Sequence, residues 1–234
     1  MLCLDAGNSR LKFGLYADGR WRQQGAIEHA ALGQLPTQLA ARPARIVACN
    51  VAGPQVAQGI EALAREMAVP LAWLTSSASA CGVSNGYERP QQLGADRWAA
   101  LIGARALHAG AAVVVMAGTA TTIDALDANG RFRGGLILPG LELMQRSLAE
   151  GTADLPHAQG QYCDLATNTD DAIVSGALHA TLGAISRVRS TLGAEAACVL
   201  SGGAAKELAA RISAPLLQVD NLVLEGLARF SAAS

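Results

Sequence analysis

The sequence predicts an α/β protein made of two duplicated domains, each a mixed sheet flanked by helices, with a cleft between them. Three observations carry this prediction. Sliding the 234-residue chain along itself so that Asp5 falls on Met116 brings 18 positions into register without a gap, 7 of them identical: Ala6/Ala117, Gly7/Gly118, Leu15/Leu126, Ala17/Ala128, Gly19/Gly130, Arg20/Arg131 and Arg22/Arg133. In both copies an apolar strand enters a Gly-centred polar turn, and a second strand leads to Asp18-Gly19 or Asn129-Gly130, a hairpin-turn signal. After each copy, helical and strand patterns alternate, as expected where helices cover a sheet. Repetition at so long a spacing indicates duplicated domains, 1–110 and 111–234, rather than a short-period array.

Taken in order, 1–28 reads as a β-meander with strands over 2–4, 11–16 and 20–27. A helix is expected over 30–41, ending before Pro43, then a buried strand over 45–49. Val56, Ile60, Leu63, Ala64 and Met67 set a helical stripe over 55–67, and 71–74 is a strand. Residues 75–92 carry Gly82, Gly86 and Pro90 and read as an irregular loop, a feature more often functional than filler in a compact domain. A helix over 96–108 stops at Gly110, and the second meander follows. The second half continues with a strand over 134–140, a helix over 141–148, an irregular stretch over 150–168 and a long helix over 170–192. Asp170 and Asp171 lie in the first turn of that helix, where negative charge suits the dipole. A strand over 197–200, a turn, a helix over 204–212, a strand over 216–219 and a helix over 222–230 complete the chain.

Hydrophobic residues make up 51%, charged residues 16%, and the formal net charge is −1, so no electrostatic case exists for nucleic acid or an anionic membrane. Small molecules or a second copy are the expected partners. The five cysteines (Cys3, Cys49, Cys81, Cys163, Cys198) are odd in number and contain no C-x-x-C, which predicts neither a disulfide framework nor a zinc site and suits a reducing cytoplasm. His29, His108, His157 and His179 lack metal-ligand spacing. No signal peptide is expected, and the continuous apolar run 111–117 has strand length, short of the roughly 20 residues of a membrane span.

Gly-centred turns between strands present several backbone N–H groups in one direction and so make nests for phosphate oxygens. Gly7 and Gly118 suit this because a Cβ there would hold a phosphate away, and two such turns facing one another can grip a polyphosphate. The chain has neither G-x-x-x-x-G-K-[ST] nor G-x-G-x-x-G, which excludes a P-loop and a dinucleotide fingerprint. Asp5, just before the first turn, is either a turn-capping carboxylate or a Mg²⁺ ligand beside bound phosphate. Lys12 is a solvated cation or a phosphate contact. Asp96 in Leu93-Gly94-Ala95-Asp96-Arg97 is an N-cap or a base that orients a hydroxyl, and Arg97 can meet a carboxylate or phosphate. Ser201-Gly202-Gly203 is a plain tight turn or a flat seat for a ring such as adenine.

Together these segments resemble the motifs of type III pantothenate kinases, in the superfamily of acetate and sugar kinases, heat-shock chaperone ATPases and actin. The resemblance covers essentially the whole chain. It rests on 5–12 for a first phosphate motif, Asn85-Gly86-Tyr87, Pro90 and 93–98 for a pantothenate motif, 118–124 for a second phosphate motif, and 134–140, 151–156, 201–203 and 224–227. It implies two actin-like (ribonuclease H-like) domains and ATP-dependent phosphorylation of pantothenate to 4'-phosphopantothenate, the first step of coenzyme A biosynthesis, by a cytoplasmic homodimer. Carried over residue by residue, Asp5, Ala6, Gly7, Asn8, Ser9, Arg10, Leu11, Lys12 and Thr119 hold ATP phosphates, Gly202 and Gly203 belong to the nucleotide site, and Asp5 holds Mg²⁺. Asp96 is the general base, while Tyr87, Gly94, Ala95, Asp96, Arg97 and Thr169 hold pantothenate.

One position departs from the pattern. Similar kinases carry an aspartate two residues before the Gly of the second phosphate motif, where it binds K⁺ or NH₄⁺, and here that position is Met116. A thioether is a poor ligand for a hard cation, so weak or absent dependence on monovalent cations is expected. Met116 also admits an alternative, a nucleotide-binding regulator of the same fold with reduced catalysis.

Overall fold

In the computed structural model, which describes residues 1–193 and 195–233, β1 (Leu2–Ala6) is buried at every position. That is the expected state of a central strand covered on both faces. It pairs antiparallel with β2 (Leu11–Ala17), which pairs antiparallel with β3 (Arg20–Ile27). A 3₁₀ turn, His29–Gln34, leads to one turn of α1 (Leu35–Gln38). The helix expected over 30–41 is therefore shortened, because Pro36 has no N–H to continue an α-helical ladder and starts a new turn instead. β4 (Ile46–Asn50) joins β1 in parallel, α2 (Pro54–Glu66) crosses over, and β5 (Leu71–Trp73) joins β4 in parallel. The loop expected to be irregular contains a small hairpin, β6 (Ser79–Ala80) and β7 (Val83–Ser84), before α3 (Ala95–Leu107).

The chain clusters into two units, Met1–Leu107 with Asn221–Ser234, and His108–Asp220. In the second unit β8 (Ala112–Ala117), β9 (Ala120–Leu126) and β10 (Phe132–Pro139) form an antiparallel meander. α4 (Leu141–Gly151) and α5 (Thr169–Leu192) precede β11 (Ala197–Ser201), which pairs in parallel with β8. α6 (Ala205–Ala209) then leads to β12 (Leu216–Gln218), parallel to β11. The Asn168 side chain caps α5 by accepting the Asp171 N–H at 2.9 Å, and Gly193, at φ 102°, ends it.

Strand order is β3-β2-β1-β4-β5 in one sheet and β10-β9-β8-β11-β12 in the other, so the duplication seen in the sequence is a duplication of topology. The gap-free alignment nevertheless conceals two compensating changes. Four residues, Gly7 to Arg10, separate the pair Ala6/Leu11, but only three, Gly118 to Ala120, separate Ala117/Thr121. Downstream, Asp18 and Gly19 (φ 52° and 74°) close a two-residue hairpin loop, whereas Asp127 donates its N–H to Arg131 across Ala128, Asn129 and Gly130. The residue lost at the first corner is regained at the hairpin. Between those points the structural partner of Lys12 is Thr122, not Ile123 as the alignment has it.

Leu2, Leu4, Ala6, Ile46 and Ala48 face α2 in one core of the first unit. A last helix, α7 (Leu222–Ala233), packs on α3 and contacts β1, β2 and β4. The sequence reading put this helix in the second domain with the rest of 111–234; it lies in the first unit. Close approach explains the placement. A Cβ on Gly103 would lie 2.6 Å from the Leu222 carbonyl oxygen, and one on Gly226 would strike the backbone of Ala99. Trp21 Nε1 donates to Glu225 Oε1 at 2.5 Å, and Arg45 donates to the Ser231 carbonyl at 2.9 Å. In the second unit Val113, Val115, Ala117, Cys198 and Leu200 face α5.

Candidate active site

Asp5 is the fourth residue of β1, opposite Lys12 on β2 and level with Cys49 on β4. Residues in register on neighbouring strands share a face, so carboxylate, ammonium and thiol project together, away from the α2 core. α3 packs against β4, and Asp96 in its first turn comes close enough to act electrostatically on both Asp5 and Cys49. Burial pushes the Asp5 carboxyl up to about 6. Lys12 pulls it down, Asp96 pushes it up, and the Cys49 thiol, donating to Asp5 Oδ1 at 3.7 Å, pulls it down.

Asp96 lies inside α3, not at its cap. Gly94 precedes the helix and accepts the Trp98 N–H at 2.9 Å. The Asp96 carboxylate turns back, its Oδ1 accepting the Arg97 N–H at 2.8 Å, into space that a Cβ on Gly94 would crowd at 2.6 Å. A carboxylate in this position is favoured by the helix dipole. Arg97 is 5% exposed, donates to the Tyr87 hydroxyl at 3.1 Å, and stands 5.8 Å over the Tyr87 ring. Tyr87 is itself fixed by Asn85, whose Oδ1 accepts the Tyr87 N–H and whose Nδ2 donates to the Pro90 carbonyl. The expected substrate-side residues Tyr87, Gly94, Ala95, Asp96 and Arg97 are thus one cluster, and Asp5 to Lys12 lie in the same unit.

A Cβ on Gly7 or Gly118 would make only ordinary contact, at 3.6 Å, and neither residue adopts a positive φ. The backbone therefore does not demand glycine at either corner. Gly140 and Gly202 are required by packing. Gly140 donates its N–H to the Thr119 carbonyl at 2.9 Å, and a Cβ on it would strike Gly118. Gly202, at φ 109°, abuts the Ala117 backbone. Gly203 is exposed in the same turn, with nothing within 4 Å of a Cβ placed on it. Thr169, exposed at the start of α5, lines a cavity of about 840 Å³ with Met144, Leu148 and Ile173. Thr119 and Thr169 belong to the second unit, so the structure does not gather them with the first-unit cluster inside one unit.

Among the described residues no group of three or more His, Cys, Asp or Glu forms a metal cage. Mg²⁺ needs no such cage, since one or two carboxylates with phosphate and water suffice. Buried Asp5, with Asp96 near it, meets that requirement. Met116 occupies in the second sheet the place of Asp5 in the first, level with Thr122 and Ser201. Ser201 donates to the Asp220 carbonyl at 3.3 Å. A thioether beside two hydroxyls is a poor donor set for K⁺.

A family model described as type III pantothenate kinase matches residues 1–191. A type III pantothenate kinase from Aromatoleum aromaticum is 50% identical over 232 residues, covering 97% of this chain and 96% of the relative. One from Dechloromonas aromatica is 47% identical over 230 residues, covering 97% of each. The chain belongs to the type III pantothenate kinase family. Among solved structures, a conserved protein of Campylobacter jejuni described as a candidate Baf family transcriptional activator superposes with a TM-score of 0.65 at 20% identity, over 99% of this chain and 98% of that one. An inorganic polyphosphate/ATP-glucomannokinase from an Arthrobacter strain superposes with a TM-score of 0.51 at 12% identity, over 100% and 99%. At such identities these two show the fold alone.

In this chain, sequence reasoning missed one residue of the cluster. Cys49 counted only as one of five scattered thiols, and nothing local marks it. Its place beside Asp5 comes from parallel pairing between β1 and β4, which joins partners 44 positions apart in the chain. The Asn85 clamp on Tyr87 was signalled by Asn85-Gly86, a pair prone to local side-chain hydrogen bonding.

Proposed function

We propose that this chain transfers the γ-phosphoryl group of ATP to the primary hydroxyl of pantothenate, giving 4'-phosphopantothenate and ADP, the first step of coenzyme A biosynthesis. The observation that carries the reading is that Asp96 acts electrostatically on Asp5, which stands opposite Lys12 near the end of β1, in a chain of this family. In this reading Asp5 to Lys12 and Thr119 take the ATP phosphates, Gly202 and Gly203 the nucleotide, and Tyr87, Gly94 to Arg97 and Thr169 the pantothenate. Arg97, fixed by Tyr87, suits the pantothenate carboxylate. Asp96 accepts the proton of the attacking hydroxyl. The transition state of phosphoryl transfer is loose, so most of its contribution is orientation of that oxygen. Asp5, together with the phosphates, would hold a Mg²⁺ ion, which would supply charge neutralisation. Dependence on a monovalent cation is weak or absent in this reading, because Met116 stands where an oxygen ligand would be needed. We further assign a cytoplasmic homodimer without nucleic-acid or membrane partners, in keeping with the net charge of −1 and with the lack, among the described residues, of a helix long and apolar enough to cross a membrane.

The test is ADP release from ATP with and without pantothenate, on the wild type and Asp96→Asn. Pantothenate-dependent release that falls at least about 100-fold in the variant is expected, the usual range for loss of a general base. Equal release from both proteins would remove Asp96 from this role. Nucleotide binding without pantothenate-dependent turnover would favour the regulator.

A further inference from the structure

Asp5 reaches the end of β1 inside the protein, 7% exposed, and a buried carboxylate needs a donor to fix which way its oxygens point. Its neighbours in register are Lys12 on one side and Cys49 on the other. Cys49 is 1% exposed, and its Sγ stands 3.7 Å from Asp5 Oδ1. In that contact the thiol is the donor and the carboxylate the acceptor.

The duplicated half supplies an internal control. At the same register the second sheet has Met116 in place of Asp5 and Ser201 in place of Cys49. There the strand-end side chain offers no carboxylate, and the Ser201 hydroxyl turns to the backbone of Asp220.

We infer that Cys49 is a positioning residue for Asp5: its S–H holds one carboxylate oxygen on the β4 side, leaving the other directed to the Mg²⁺-bound phosphates of the nucleotide. This rests on the proposed kinase reading and adds to it a residue that touches neither substrate. Cys49→Ala removes the donor and leaves the strand intact. Cys49→Ser restores a donor of similar size.

The experiment measures Mg·ADP binding by calorimetry, KM for ATP and for pantothenate, kcat, and thermal midpoint for the wild type and both variants. Loss of a hydrogen bond to a charged group is worth about ten-fold in affinity. Cys49→Ala is expected to weaken Mg·ADP binding and raise KM for ATP by about that factor, at unchanged KM for pantothenate, with Cys49→Ser recovering most of the loss. Unchanged nucleotide binding in Cys49→Ala, or equal losses for both substrates with a lowered midpoint that serine does not rescue, would overturn the inference and leave the kinase reading standing. Failure of the wild type to bind Mg·ADP would overturn both.

Discussion

Asp5 and Lys12 stand opposite one another on antiparallel strands, and the ammonium opposes a carboxyl pKa that burial and Asp96 both raise. The pair is unequal, because burial prevails and leaves Asp5 near 6.

That imbalance gives a pH dependence. A carboxyl whose folded pKa is above the ordinary 3.8 binds its proton more tightly in the folded state, so stability falls as pH rises from about 4 to about 6 and is level above. The rise corresponds to roughly 3 kcal/mol at about 1.4 kcal/mol per pH unit. Asp5→Asn is expected to melt above the wild type at pH 7.5 while losing activity, with the gap closing near pH 4. Urea melts of both proteins across that range check it, and a gap that widens toward pH 4 contradicts it.

Gly94→Ala places a methyl where Asp96 Oδ1 lies, at 2.6 Å. The carboxylate must swing away from the start of α3. We expect kcat to fall about 10- to 100-fold from misplacement of the base, with KM for ATP and the melting point nearly unchanged. Steady-state kinetics with each substrate varied in turn is the check.

Gly226→Ala drives a methyl into the Ala99 backbone, where no flexible side chain can give way. Overpacking of this kind costs about 1–3 kcal/mol or more. The urea midpoint should drop, with activity falling in proportion to the folded fraction.

Replacing K⁺ or NH₄⁺ by Na⁺ is expected to change the rate little, because Met116 offers sulfur where a hard cation needs oxygen. Met116→Asp puts a carboxylate level with Thr122 and Ser201 and should make the melting temperature rise with K⁺ over Na⁺. A steep K⁺ dependence of the wild-type rate would refute the first expectation.

Much of this architecture was legible in the residues, for identifiable reasons. The meanders announce themselves through Gly7, Gly19, Gly118 and Gly130, whose turns fix where each strand must end. The repeat was legible too, yet its register was not, since a residue missing at Gly118 to Ala120 and one added before Arg131 cancel in an ungapped alignment. The apolar stripe of α7 shows that it covers a sheet but not which one. That choice is made by Gly103 and Gly226, whose missing side chains let α3 and α7 touch. In the candidate site, Asp5, Asp96 and Arg97 stood in recognisable motifs. Cys49 did not, because partners across parallel strands depend on the crossover between them.

The return of α7 to the first unit sets an order on synthesis. Residues 221–233 leave the ribosome only after the whole of His108–Asp220, so the helix bearing Asp96 waits for its covering partner until the second unit has been made. Domains made early usually fold early. Here the earlier half is finished last, and a nascent chain halted at residue 220 carries a complete second sheet beside a first one whose α3 face is still wet.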